Sequence, residues 1–191
     1  MFSRQNAVRI IAGNWRGTRI PIPAGTMVRP TPDRVRETVF NWLNPNLDGA
    51  RCLDLCAGTG ALGLEALSRG ARETWFLEKD PLLVRYLRQQ IEDLDANAIV
   101  LCEDVINLLE RPDAESFDIV FLDPPYHHPL EPLLERLSRW LAPRARVYIE
   151  RPNLRGTSGE LNRLATRLSG AEVLKESYAG TVLYGLFVLP K

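Results

Sequence analysis

From Arg51 onward the chain alternates between short apolar runs and stretches of helical spacing. RCLDLC precedes a glycine-rich turn, and ALGLEALSR reads as a helix closed by Gly70. ETWFLE is the next strand. Asp80 and Pro81 then open LLVRYLRQQIEDL, whose Leu83, Tyr86, Leu87, Ile91 and Leu94 share one face. AIVLC, FDIVFLD and RVYIE continue the strands, with VINLLE and PLEPLLERLSRWL as helices between them. Near-continuous apolar strands are buried on both faces, and helices between them are crossovers, so the pattern demands a mostly parallel sheet covered on both sides. The tail departs from it. EVLKESYAG and TVLYGLFVL read as two strands around a tight turn, which predicts an antiparallel edge. Arg151–Gly159 is polar and glycine-containing and is expected to be a loop.

The part before this alternation differs. VRIIAGNWRGTRIPIP reads as two short strands around Asn14-Trp15-Arg16-Gly17. RPTPDRVRETVFNWLNP reads as a helix with Thr31 as cap, Pro32 in its first position, Val35, Val39 and Leu43 on one face, and Pro45 at its end. The expected organisation is a small hairpin and helix over residues 1–45, then an α/β domain over 46–191. With 45% hydrophobic and 25% charged residues, a chain of 191 can bury a core without disulfides or metal. No apolar run approaches the length of a membrane span, and the first residues lack the apolar segment of a signal peptide.

The net charge is zero, yet residues 1–36 carry seven arginines against Asp33 alone, a local +6 balanced by −6 elsewhere. Arginine outnumbers lysine 21 to 3. Its planar fork suits phosphate oxygens, so a basic leader on an acidic body is a means of holding a nucleic acid at one edge. A solvated basic face is the plain alternative. Cys52, Cys56 and Cys102 lie in or beside apolar runs and are expected to be reduced core thiols. Adjacent His127 and His128 and the absence of a second close cysteine pair argue against a metal site.

Two motifs carry chemistry. Asp54-Leu55-Cys56-Ala57-Gly58-Thr59-Gly60-Ala61-Leu62-Gly63 follows a strand and opens a helix, with Glu78 twenty residues beyond Gly58. This is the glycine pattern of nucleotide folds, and alone it does not separate a nicotinamide cofactor from other adenosine cofactors. Asp54 discriminates. A carboxylate just before the turn would repel a pyrophosphate but suits the ammonium and sulfonium of S-adenosylmethionine (SAM). Glu78 is placed for the ribose hydroxyls and Asp104, after the third strand, for the adenine amine. A helix N-cap is the alternative for each acid, most directly for Asp104 ahead of VINLLE.

The second motif is Asp123-Pro124-Pro125-Tyr126, ending FDIVFL 63 residues after Gly60. Consecutive prolines stiffen the loop and leave carbonyls free to accept. A conjugated exocyclic amine is a poor nucleophile. Asp123 and the Pro124 carbonyl can each accept one of its hydrogens and aim its lone pair at a methyl donor, while Tyr126 stacks on the base. His127 and His128 read as loop residues. The alternative is a proline-rich turn with a capping aspartate.

RIIAGNWRG, RPTPDRVRETVFNWL, LDLCAGTGALGLEALSRGA, IVFLDPPY and VYIE together closely resemble the RsmD family, from about Val8 to Glu150. The resemblance implies a Rossmann-like class I SAM-dependent methyltransferase, with strand order 3-2-1-4-5-7-6 and the seventh strand antiparallel. It implies methylation of N2 of guanine-966 in 16S rRNA of an assembled or assembling small ribosomal subunit. Asp54, Ala57, Gly58, Gly60, Glu78 and Asp104 carry over as cofactor positions, and Asp123, Pro124 and Tyr126 as catalytic. Arg16, Arg19, Arg29, Arg34 and Arg36 are the expected RNA contacts, and a cytoplasmic monomer without metal is expected. A DNA adenine methyltransferase shares DPPY but needs room for a target-recognition domain. A glutamine-amide methyltransferase carries Asn before the prolines. A non-catalytic RNA-binding protein needs neither motif.

Overall fold

In a computed structural model, which describes residues 7–26, 28, 30–112, 115–124, 130–152, 160–167 and 171–189, the alternating runs become strands and crossover helices. A hairpin comes first, β1 (Ala7–Arg9) and β2 (Arg19–Pro21), antiparallel with Val8 opposite Ile20. Then follow α1 (Asp33–Leu43), β3 (Arg51–Asp54), α2 (Ala61–Ser68), β4 (Glu73–Glu78), α3 (Pro81–Asp93), β5 (Ala98–Cys102), α4 (Val105–Leu109) and β6 (Phe117–Leu122). The chain ends with α5 (Glu131–Leu137), β7 (Leu141–Pro152), α6 (Glu160–Arg167), β8 (Glu172–Ala179) and β9 (Val182–Val188).

The sheet order is β5-β4-β3-β6-β7-β9-β8. Counted from β3 as the first sheet strand, this is the expected order. β3 to β7 are mutually parallel, and β9 is antiparallel to both β7 and β8. The reversed strand therefore sits one place in from the edge, because the β8–β9 turn folds it back between β7 and β8.

The two-residue period of the strands splits the core in two. Cys52, Phe76, Ile119, Phe121, Tyr148, Tyr184 and Leu186 face one side and pack with Val35, Val39, Phe40 and Leu43 of α1, with α2, and with Val8, Ile10 and Ile20 of the leader. Leu53, Leu77, Val120, Leu122, Val147, Ile149 and Phe187 face the other side, under α4, α5 and α6. The hairpin and α1 thus share a core with the sheet. Each large apolar side chain buried there stabilises by about 1.5–3 kcal/mol relative to exposure.

Five local expectations are corrected. α1 begins at Asp33 with Pro32, which has no side-chain acceptor, in the cap position; Thr31 lies one residue outside it, its hydroxyl bonded to the Glu150 carboxylate. α1 stops at Leu43 and tightens into a 3₁₀ turn, Asn44–Asn46, that contains Pro45. Of the cysteines only Cys52 is fully buried, whereas Cys102 is exposed at the end of edge strand β5. Helix α6 was not anticipated, although Leu161, Leu164 and Ala165 carry its helical spacing. The loop expected over Arg151–Gly159 is corrected at its start, where Arg151 and Pro152 continue β7 opposite Leu183 and Val182; residues 153–159 lie outside the described residues.

Candidate active site

Strand register gathers the acids. Asp54 is opposite Phe76 on β4 and Phe121 on β6, and Phe121 is opposite Tyr148 on β7. These four share a face, so Glu78, Asp123 and Glu150, each two residues further on, emerge on that same face at the carboxyl edge. Ligands of open α/β sheets sit at this edge.

The glycine turn after β3 is tied down by backbone bonds. Ala57 N–H donates to the Leu77 carbonyl at 2.9 Å, and Gly60 N–H donates to the Ala57 carbonyl at 2.6 Å. Gly60 has φ +76°, and a Cβ there would stand 2.5 Å from Leu87 Cδ1. Only glycine meets both demands. Glu78 braces the turn: Oε2 accepts from Gly58 N–H at 2.8 Å and Oε1 from Asp80 N–H at 2.9 Å. Its remaining lone pairs are available to ribose hydroxyls. Asp54 Oδ2 accepts from Gly63 N–H at 3.1 Å. Burial pushes the Asp54 carboxyl up to about 7, the charge of Glu78 adds to this, and N–H bonds from Gly63 and Cys56 oppose it. A buried acid with no cation beside it among the described residues fits a ligand that brings its own positive charge. Asp104 Oδ1 accepts from Ile106 N–H at 3.0 Å and so caps α4, with the second oxygen left for a ligand amine. The donor set therefore fits SAM.

At the acceptor end, Asp123 and Pro124 leave β6. Burial first, then the charges of Glu150 and Asp54, raise the Asp123 carboxyl well above the usual range, and Arg151 opposes them. Tyr126, His127 and His128 lie outside the described residues. Glu150 is buried and accepts from the Tyr148 hydroxyl at 2.8 Å and from the Thr31 hydroxyl. Val28 approaches the turn, with Cγ1 3.2 Å from where a Gly58 Cβ would be. The leader thus borders both the cofactor turn and Glu150. Glu150 and Thr31 were missed as site residues; an acid closing the apolar run VYIE was the available signal for the first.

The arginines divide. Arg36, an expected RNA contact, is corrected: its side chain is 0% exposed. Its guanidinium donates to Asp33 Oδ1 at 2.6 Å, Glu65 Oε2 at 3.4 Å, the Arg9 carbonyl at 2.8 Å and the Thr31 carbonyl at 3.2 Å. It lies on the apolar stripe of α1 with Phe40 and Leu43, and no phosphate can reach it. Arg16, Arg19 and Arg34 are exposed. Arg29 lies outside the described residues.

Buried Glu65 also accepts Ile11 N–H at 2.7 Å, Ala12 N–H at 3.0 Å and Arg69 Nε at 2.7 Å. Ser68 continues the clasp, its carbonyl accepting Asn14 N–H and its hydroxyl accepting Trp15 N–H. A Cβ at Gly13 would stand 1.8 Å from the Ser68 carbonyl oxygen. The hairpin loop is therefore docked on the last turn of α2, about 12 Å along the helix from the cofactor turn. Trp15 is half-buried against the core.

A doubly wound sheet with reversed β9, a glycine turn braced by Glu78, and an uncompensated Asp54 define a class I SAM-dependent methyltransferase. The family model described as Conserved hypothetical protein 95 matches residues 8–182. Ribosomal RNA small subunit methyltransferase D of Escherichia coli (strain K12) is 40% identical over 189 residues, covering 97% of this chain and 91% of that protein. The solved structure of the Escherichia coli protein yhhF matches with TM-score 0.84 at 38% identity, covering 96% of this chain and 98% of that one. A protein solved in complex with SAH shares the fold, with TM-score 0.76 at 15% identity, covering 93% of this chain and 55% of that one. The chain belongs to the RsmD family.

Proposed function

We propose that this chain methylates the exocyclic N2 of a guanine, guanine-966, in 16S rRNA of the small ribosomal subunit, acting as a cytoplasmic monomer. The observation that carries the reading is Asp123-Pro124 leaving β6 on the sheet face that presents Asp54, so that an amine-holding carboxylate adjoins the cofactor acids. Asp54 holds the cofactor's positive end, Glu78 its ribose and Asp104 its adenine. When bound, SAM supplies an electrophilic methyl on a sulfonium. Asp123 and the Pro124 carbonyl accept the two amine hydrogens and turn the nitrogen lone pair out of conjugation. Methyl transfer would form the N–C bond as the methyl–sulfur bond breaks to leave the neutral thioether; the Asp123 carboxylate would stabilise the positive charge growing on the nitrogen and then receive its proton. Tyr126 stacks on the everted base. Residues 1–45 serve as the recognition segment, with Arg16, Arg19, Arg29 and Arg34 as phosphate contacts and Arg36 as the anchor that shapes them.

Labelled SAM offered with small subunits lacking the modification, naked rRNA and DNA tests this, followed by mapping of the labelled base. Label at guanine N2 of 16S rRNA is expected; label in DNA adenine, or none, refutes the reading. Asp123→Ala should lower transfer by at least about 10²–10³-fold with SAM affinity retained, and near-normal transfer would remove Asp123 from the mechanism.

A further inference from the structure

The amine is only half of guanine's recognisable edge. Guanine presents two adjacent donors, N1–H and the N2 amine, where adenine offers an acceptor at N1. Asp123 and Pro124 account for the amine hydrogens. The N1–H needs an acceptor of its own, and a buried donor left without one is costly.

β7 supplies a candidate. Leu122 of β6 is opposite Ile149 of β7 in parallel register, so the next residues, Asp123 and Glu150, stand side by side on one face. Adjacent strands lie about 4.8 Å apart. Glu150 is 4% exposed. The Tyr148 and Thr31 hydroxyls each donate one bond to it. A carboxylate accepts about four, so these donors orient the group and leave half its capacity unused. The charged and titratable groups around the pair are Asp54 on β3, Cys56 on the cofactor turn, Tyr148 and Arg151 on β7, and Tyr184 on β9. Arg151 is the cation that acts on Asp123, while burial and the two hydroxyls act on Glu150. Two adjacent buried carboxylates are a poor arrangement for stability and a good one for a ligand with neighbouring N–H donors.

We propose that Glu150 is a specificity-determining residue that accepts the N1–H of the target guanine while Asp123 accepts from its N2 amine. The assignment rests on the guanine-N2 reading above. A base with an acceptor at N1 would set lone pair against lone pair at Glu150 and be rejected. Thr31 holds the reader in place and makes the junction between leader and α1 part of base selection.

The test compares small subunits assembled with guanine or with 2-aminopurine at the target position; 2-aminopurine keeps the N2 amine but has an acceptor at N1. The wild-type enzyme should favour guanine by about tenfold or more, the discrimination that one well-formed base contact supplies. Glu150→Gln can turn an amide N–H toward an N1 acceptor. It should lose about ten- to a hundredfold on guanine and raise the 2-aminopurine to guanine rate ratio at least about tenfold, with SAM affinity unchanged. Thr31→Val, which keeps the carboxylate and removes one orienting donor, should shift the ratio in the same direction by less. Equal wild-type rates on the two bases, or a parallel fall on both in either variant, overturn the assignment and leave guanine-N2 methylation standing. Wild-type label found anywhere but guanine N2 instead overturns the underlying reading.

Discussion

Glu65→Gln replaces an acceptor pair with an isostere that can accept on one side only. In the wild type Oε1 takes Ala12 N–H and Arg69 Nε, and Oε2 takes Ile11 N–H and Arg36 Nη1. Whichever oxygen becomes the amide nitrogen, two donors then face a donor. The charge that offsets fully buried Arg36 is lost as well, leaving it to Asp33, which is 53% exposed. Breaking a buried pair from one side costs about 3–5 kcal/mol. For a domain of this size that lowers Tm by roughly 6–20 °C. The matched control is Arg9→Ala, which removes an exposed 3.5 Å contact to Asp33 with partners 60% and 53% exposed and should cost at most about 0.5 kcal/mol. Thermal and urea unfolding at one pH measure both, and the Glu65→Gln loss should persist in high salt because screening hardly reaches buried groups. A loss below about 1 kcal/mol would refute the reasoning, since it would mean that the buried knot does not hold the hairpin on α2.

Other expectations follow from the same geometry. Burial holds the Asp54 proton up to about 7, whereas an unfolded aspartate releases it near pH 3.9. The folded state therefore binds the extra proton between those values, and this group's contribution to stability falls as pH rises through the window. A cation at Asp54 favours the carboxylate, so SAM affinity should climb with pH up to about 7, with proton release on binding seen by calorimetry in two buffers; a flat profile, or one that survives Asp54→Asn, counts against it. Gly63→Ala would put a Cβ 2.2 Å from Phe76 Cε1 and 2.9 Å from Thr74 Cγ2, and urea unfolding should show a loss of about 1–3 kcal/mol. Charge reversal at Arg16 and Arg19 should weaken subunit capture and flatten its salt dependence while SAM binding stays constant, and unaltered turnover at limiting subunit would exclude both as phosphate contacts.

Much of the architecture was legible because it is periodic. Apolar runs such as FDIVFL and the spacing of Leu83, Leu87 and Ile91 announce strand and helix locally, and the turn at Gly58 and Gly60 announces a ligand edge. Parity along each strand then puts Asp54, Glu78 and Asp123 on one face once the strands pair in register. The arginines were less legible. Arg34 and Arg36 are two residues apart and look alike as charge, yet one is exposed and the other is 0% exposed. The helical stripe through Arg36, Phe40 and Leu43 hinted at this, but burial of a cation depends on Glu65, 29 residues away.

The sequence by itself determined the class of sheet, the glycine turn and the acids at the carboxyl edge beside it, because period and turn chemistry are properties of a few neighbouring residues. Only the tertiary structure decided which charges are buried in the framework and which stand at the surface. Thr31 meets Glu150 across more than a hundred residues, and the hairpin loop is clasped by Glu65 and Ser68 rather than set at the catalytic edge. Such pairings arise when packed layers bring distant polar groups together away from water, where each must find a partner, and no local pattern records which partner that will be.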